Sequence, residues 1–293
     1  MKRIVLGVQY DGTPWLGYQT QPHGETVQDK LEAALLQFTR QEVHTICAGR
    51  TDAGVHALEQ IVHFDIDLSR NAFSWVRGTN AYLPPSIAVR WATEVVPDLA
   101  CAAYDPAGAT SVTFTPEPGL PDLTQAGMQH EFHSRFSATA RTYHYVLNNS
   151  PIHSPLLRNR VGWVFRPLDA VRMQEGANFL LGVHDFSAFR AAHCQAKTPV
   201  KRMHAIRIER RGDMIIFTLR ASAFLHHMVR NIVGALIVVG TGNQPPEWMA
   251  QILAARDRSK AAPTFMPDGL YLARIDYDPK WGLPQQRNVL PWL

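Results

Sequence analysis

Cysteine is scarce in this sequence: Cys47, Cys101 and Cys194 are the only three in 293 residues. They lie far apart, so neither a disulfide framework nor a CxxC metal motif can be built from them. Charged residues make up only 18%, while 46% are hydrophobic. That balance excludes intrinsic disorder and leaves enough apolar material for a large core. Long hydrophobic runs are missing too. The longest, over residues 232–239, is interrupted by Gly234 and is far too short to span a bilayer. The N-terminal segment has basic residues but no signal-peptide core, because Gln9, Tyr10 and Asp11 follow at once. Gly7, Gly12 and Gly17 do not make a dinucleotide fingerprint, since no GxGxxG opens a helix. These absences point to a cytoplasmic, non-membrane globular protein.

Against 25 acidic residues stand 29 Lys and Arg, a net charge of +4. This mild excess hints at an anionic partner without identifying one. The basic residues are grouped: Arg135, Arg141, Arg158, Arg160 and Arg166, then Lys197, Lys201, Arg202, Arg207, Arg210 and Arg211. Interleaved Tyr, His and Trp suit RNA contact, although a solvated hairpin face would look the same.

The periodicities alternate between strand and helix. Ile4, Leu6, Val8 and Tyr10 form a period-2 strand, ended by Asp11-Gly12-Thr13-Pro14. Thr26 with Asp29 reads as a capping box for a helix over 26–38. Strands are expected over 43–47, 60–68 and 87–96, with a helix capped by Asn71 running to 82. In the second half the pattern predicts a strand over 135–148, a helix from Asp169 to 181 and a hairpin of 203–209 with 214–220. An apolar helix over 224–239, a helix from Pro246 to 255 and a closing strand over 270–277 follow. Short, half-buried strands joined by hairpins as well as helices favour an α+β fold with a mainly antiparallel sheet. The organisation expected is an N-terminal half, 1–98, and a C-terminal half, 132–293. Between them residues 99–131, punctuated by Pro116, Pro118 and Pro121, read as an insertion or long loop.

The segment richest in chemistry is Ala48-Gly49-Arg50-Thr51-Asp52-Ala53-Gly54-Val55-His56-Ala57. Two glycines bracket an Arg-Thr-Asp triplet, which places Asp52 at the tip of a loop held by strands. In an extended backbone Arg50 and Asp52 leave the same face. Spacing alone favours an idle surface ion pair on a turn, since most exposed pairs of this kind are structural. His226-His227 invites a metal reading, but adjacent helical positions point about 100° apart and HxxxH spacing is absent there, so no metal site is expected.

The string Gly49-Arg50-Thr51-Asp52-Ala53-Gly54-Val55-His56 resembles the signature of the tRNA pseudouridine synthase A family. So do Tyr10-Asp11-Gly12 with Gly17-Tyr18-Gln19, Asn80-Ala81-Tyr82-Leu83-Pro84, and the stretch from Phe132-His133-Ser134-Arg135 to Arg141-Thr142-Tyr143-His144-Tyr145. His184-Asp185-Phe186, Phe224-Leu225-His226-His227-Met228-Val229-Arg230-Asn231 and Gly269-Leu270-Tyr271-Leu272 continue the match. The motifs occur in family order over nearly the whole chain.

The resemblance implies two halves, each like an RNA-recognition fold, sharing one sheet around a central cleft. It implies an isomerase that converts uridines 38, 39 and 40 of the tRNA anticodon stem-loop to pseudouridine, acting as a homodimer with no cofactor and no metal. Asp52 corresponds to the catalytic aspartate, Tyr143 to the active-site tyrosine and Arg230 to a basic residue near the aspartate. Arg50 corresponds to a residue that holds the flipped nucleotide's place. A carboxylate can trap C1′ or take the C2′ proton, and both routes stay open. A tyrosine ring can stack on an extruded uracil, and its phenol can take part in removing the C5 proton. Without the resemblance, alternation makes Tyr143 a core strand residue and Arg230 the polar edge of helix 224–239. A tRNA-binding or folding protein without chemistry is the alternative, and a nucleoside hydrolase a third reading.

Overall fold

The computed structural model describes residues 1–95, 131–192, 194–284 and 290. Its frame is one ten-stranded sheet. β1 (Lys2–Tyr10) pairs antiparallel with β3 (His56–Ile66) on one side and β4 (Ile87–Val95) on the other, and the short β2 (Ile46–Cys47) adds to β3. The remaining strands are β5 (Ala138–Asn148), β6 (Gly162–Trp163), β7 (Gly182–Asp185), β8 (Val200–Arg211), β9 (Met214–Ala221) and β10 (Leu270–Tyr277). The order is β4-β1-β3-β10-β5-β9-β8-β7, with β6 beside β5.

The strands that come first in the chain thus occupy one end of the sheet, and the later ones occupy the other. The closing strand β10 is inserted between them. It runs antiparallel to β5 but parallel to β3, through the pairs Tyr271–His56 and Leu272–Ala57. This joint begins where the 48–57 motif ends, so the motif loop lies beside the second half of the chain. The architecture is α+β with a mixed, mainly antiparallel sheet, as the alternating patterns imply.

Among the described residues five helices accompany the sheet: α1 (Val27–Thr39), α2 (Ala72–Asn80), α3 (Ala170–Asn178), α4 (Met228–Gly240) and α5 (Trp248–Ala255). α1 starts where the sequence indicates, because Thr26 and Asp29 close a reciprocal capping box that satisfies two otherwise unpaired N–H groups. Its Phe38 meets Trp75 of α2 edge-on, and Trp75 in turn meets Phe64 of β3, with ring centres 5.5 and 5.6 Å apart. α4 is the most buried helix: Ile232, Val233, Leu236 and Val239 are fully buried. Burying four such side chains stabilises the fold by about 1.5–3 kcal/mol each before entropy is counted. No described helix is long and apolar enough to cross a membrane.

Several boundaries differ from those the periodicity predicts. β3 starts at His56 rather than at 60, and β6 and β7 are too short to show a period. α4 starts at Met228, not at 224, because Phe224 and Leu225 are packed by a non-helical turn. An all-apolar pattern cannot distinguish that from a further helical turn. Residues 99–130 of the expected insertion lie outside the described residues.

Candidate active site

Asp52 is carried by a loop that several hydrogen bonds tie to the strands around it. Ala48 N–H donates to the Ile61 carbonyl at 2.8 Å, and the Gln60 side chain donates to the Gly49 carbonyl at 2.5 Å. The Thr51 carbonyl accepts from Tyr18 N–H at 3.0 Å, while the Thr51 hydroxyl bonds the buried Tyr10 hydroxyl at 2.8 Å. The Asp52 carbonyl closes a turn with Val55 N–H at 3.1 Å. Gly12 makes this packing possible: a Cβ there would stand 2.0 Å from the Val55 carbonyl oxygen.

Helix α4 supplies the facing wall. His227, its N-cap, adopts the left-handed conformation (φ 60°), and no side chain caps the helix start. Asp52 lies against this end. Its Oδ2 is 3.3 Å from Arg230 Nη1 and 3.4 Å from His227 Nε2, and its Oδ1 is 3.2 Å from His226 Nε2. An anion at a helix N-terminus is favoured by the unpaired N–H groups and the helix dipole. The cationic Arg230 in that first turn is disfavoured by the same dipole, and Asp52 offsets it.

Arg230 is fixed from two sides. Its Nε donates to the Phe265 carbonyl at 2.7 Å while Nη1 faces Asp52. The next residue, Asn231, is fully buried. It donates to the Phe189 carbonyl (2.8 Å) and accepts from Arg258 (3.0 Å) and Thr264 (2.7 Å), anchoring the segment that carries Phe265.

Tyr143, on β5, is nearly buried and meets Phe224 edge-on with ring centres 5.0 Å apart. Burial, reinforced by the charge of Asp52, pushes its phenol well above the ordinary range. Two residues earlier on β5, Arg141 bridges neighbouring segments. It donates to the carbonyls of Ala138, Ser222, Ala48 and Arg135, tying the start of the motif loop to β5 and to the end of β9. Burial lowers its pKa from the ordinary guanidinium value.

The arrangement is a partly exposed carboxylate with an arginine and two imidazoles around it, and a buried tyrosine close enough to feel its charge. The family profile described as tRNA pseudouridine synthase matches residues 7–105 and 177–278. The chain belongs to the tRNA pseudouridine synthase family. It is 62% identical to the tRNA pseudouridine synthase A of Herminiimonas arsenicoxydans, over 97% of this chain and 93% of that protein. The protein of the same name from Janthinobacterium sp. (strain Marseille) is also 62% identical, over 97% and 95% of the two chains. The one from Paraburkholderia phytofirmans is 51% identical over 100% and 96%.

Of the residues that the resemblance to this synthase family singles out, Asp52 and Arg230 form an ion pair, and Tyr143 lies near enough to feel the charge of Asp52. Arg50 is exposed and does not pair with Asp52; its Nη1 donates to Gln195 Oε1 at 2.9 Å. The basic groups are only partly free for RNA. Lys201 is buried on the carbonyls of Thr198 and Val200, and Arg210 bonds Asn149 and Leu168. Sequence reasoning missed Asn231 and the Phe265 carbonyl, whose roles depend on long-range contacts. The periodicity places His226 and His227 inside a helix, whereas both precede α4.

Proposed function

We propose that this chain converts uridines 38, 39 and 40 of the tRNA anticodon stem-loop to pseudouridine, with Asp52 as the group acting at the sugar. The reaction class follows from family membership: the enzyme is a tRNA pseudouridine synthase, an isomerase. In that reaction the N1–C1′ bond breaks, the uracil turns, a C5–C1′ bond forms, and the proton lost from C5 returns at N1. Nothing is oxidised or reduced.

The observation that carries the assignment of Asp52 is its setting. Its carboxylate is gripped by Arg230 at 3.3 Å and exposed enough, at 23%, to reach a ligand. A carboxylate so placed can trap C1′ as an ester or take the C2′ proton. Arg230, held by the Phe265 carbonyl, orients the carboxylate and favours a phosphate beside it.

For Tyr143 we assign a stacking face for the extruded uracil. Its raised pKa keeps the phenol protonated near neutrality, so the hydroxyl is poorly suited to begin the cycle as a base. Arg50 is assigned to fill the gap left by the flipped base, which requires it to leave Gln195. The aspartate loop belongs to the first half, 1–98, and the remaining walls to 132–293. A cytoplasmic homodimer completes the reading, and light scattering tests the dimer.

Tritium release from tRNA labelled at uracil C5 tests the chemistry. Asp52→Asn is expected to abolish release while tRNA binding persists. Wild-type release by that variant would overturn the role of Asp52. Binding by the wild-type enzyme without any pseudouridine formed would favour a tRNA-binding or folding protein instead.

A further inference from the structure

The imidazoles of His226 and His227 have no assigned role, and their placement is unusual. Two consecutive helical residues diverge by about 100°, but these two precede α4. The left-handed backbone of His227 (φ 60°) folds both rings to one side, with ring centres 3.9 Å apart. Left-handed residues other than glycine are uncommon and cluster where function maintains them.

Both Nε2 atoms face the same carboxylate, at 3.2 Å from Oδ1 and 3.4 Å from Oδ2 of Asp52. All three donors lie within 4.8 Å of one another. A tetrahedral zinc ion with ligands near 2.0–2.1 Å sets neighbouring donors about 3.3 Å apart. The two separations are of that size, one to each oxygen of the carboxylate, so a single oxygen must turn toward both rings to ligate the ion.

We propose that Asp52, His226 and His227 form a three-ligand site for a divalent transition ion of the zinc class, and that an ion bound there inhibits the enzyme. The site takes its fourth ligand from water. Inhibition rests on the reading of Asp52 as the reacting carboxylate: a lone pair engaged with metal is withdrawn from the sugar. The Arg230 guanidinium, 3.3 Å from Oδ2, repels a cation and keeps binding reversible. Imidazole and carboxylate ligands favour zinc and its neighbours over magnesium, so the magnesium that accompanies tRNA does not occupy the site.

Chelator-treated full-length protein is titrated with Co²⁺ and then Zn²⁺, following visible absorption and heat. One ion per chain is expected, with the d–d bands of a tetrahedral nitrogen and oxygen site and no thiolate charge-transfer band. His226→Ala and His227→Ala, each checked for folding by circular dichroism, are expected to weaken binding at least about tenfold. Equal affinity in both variants, or a thiolate spectrum, would overturn the site. Zn²⁺ should suppress tritium release by the wild type, with activity restored by chelator; bound metal without suppression would overturn the inhibition. If Asp52→Asn retained full turnover, the functional reading would fail, while the Co²⁺ spectrum of the wild type would still decide the site.

Discussion

Arg230 Nη1 stands 3.3 Å from Asp52 Oδ2, joining a loop and a helix 178 residues apart in the chain. The same guanidinium is held through Nε by the Phe265 carbonyl. Arg230→Ala is therefore expected to lower kcat/KM for tRNA by about 10²–10³, the cost of losing one preorganised electrostatic partner. Added guanidinium should restore part of the rate. A variant within twofold of wild type would show that the pair is idle.

Asn231 supports that geometry without touching the cleft. Asn231→Leu removes one hydrogen bond each from the Phe189 carbonyl, Arg258 and Thr264 at a fully buried position. A loss of about 3 kcal/mol in urea unfolding is expected. Activity measured well below the unfolding transition should fall as well, since the Phe265 carbonyl is no longer anchored.

Two glycines offer a contrast. At Gly12 an added Cβ would meet the Val55 carbonyl at 2.0 Å, whereas at Gly24, despite a φ of +68°, it meets nothing within 4 Å. Gly12→Ala should displace the aspartate loop and cost most of the activity. Gly24→Ala should cost about 1 kcal/mol of stability through its backbone angle alone and leave turnover intact. Comparable kinetics for the two variants would disprove the close-packing argument.

Acidification should loosen the sheet through His63. This side chain is buried on β3 and accepts the backbone N–H of Ser134 at Nδ1 (3.2 Å). Burial, helped by the nearby His133 and Arg3, lowers its pKa to about 4. The unfolded value is about 6.5, so below it the unfolded chain binds a proton that the folded protein refuses. The stability contribution is complete above pH 6.5 and is lost as pH falls toward 4. Between pH 7 and pH 5 this one group accounts for about 2 kcal/mol. Denaturant unfolding at the two pH values should show the loss, and His63→Gln should flatten it.

Much of the fold was legible locally. The capping box at Thr26 and Asp29 marks the start of α1, and Asn71 and Asp169 cap α2 and α3 as their side chains suggest. The 214–220 alternation finds β9, and the span 270–277 coincides with β10. These signals depend on neighbours a few residues away, so one chain segment contains all the information. The start of α4 was not legible, because hydrophobicity does not separate a buried turn from a helical one.

The sequence by itself determined the element types, the family motifs and the candidates Asp52, Tyr143 and Arg230. Only the tertiary structure decided how those residues act on one another. A parallel pairing of just two residues between β3 and β10 brings the aspartate loop against α4. It gives Asp52 a ring of partners from residues 226–230, sends Arg50 to Gln195 and buries Arg141 under four carbonyls. Local propensity acts over a few residues, whereas the charge around Asp52 comes from side chains more than 170 positions away. Where those side chains lie is set by packing across the whole sheet.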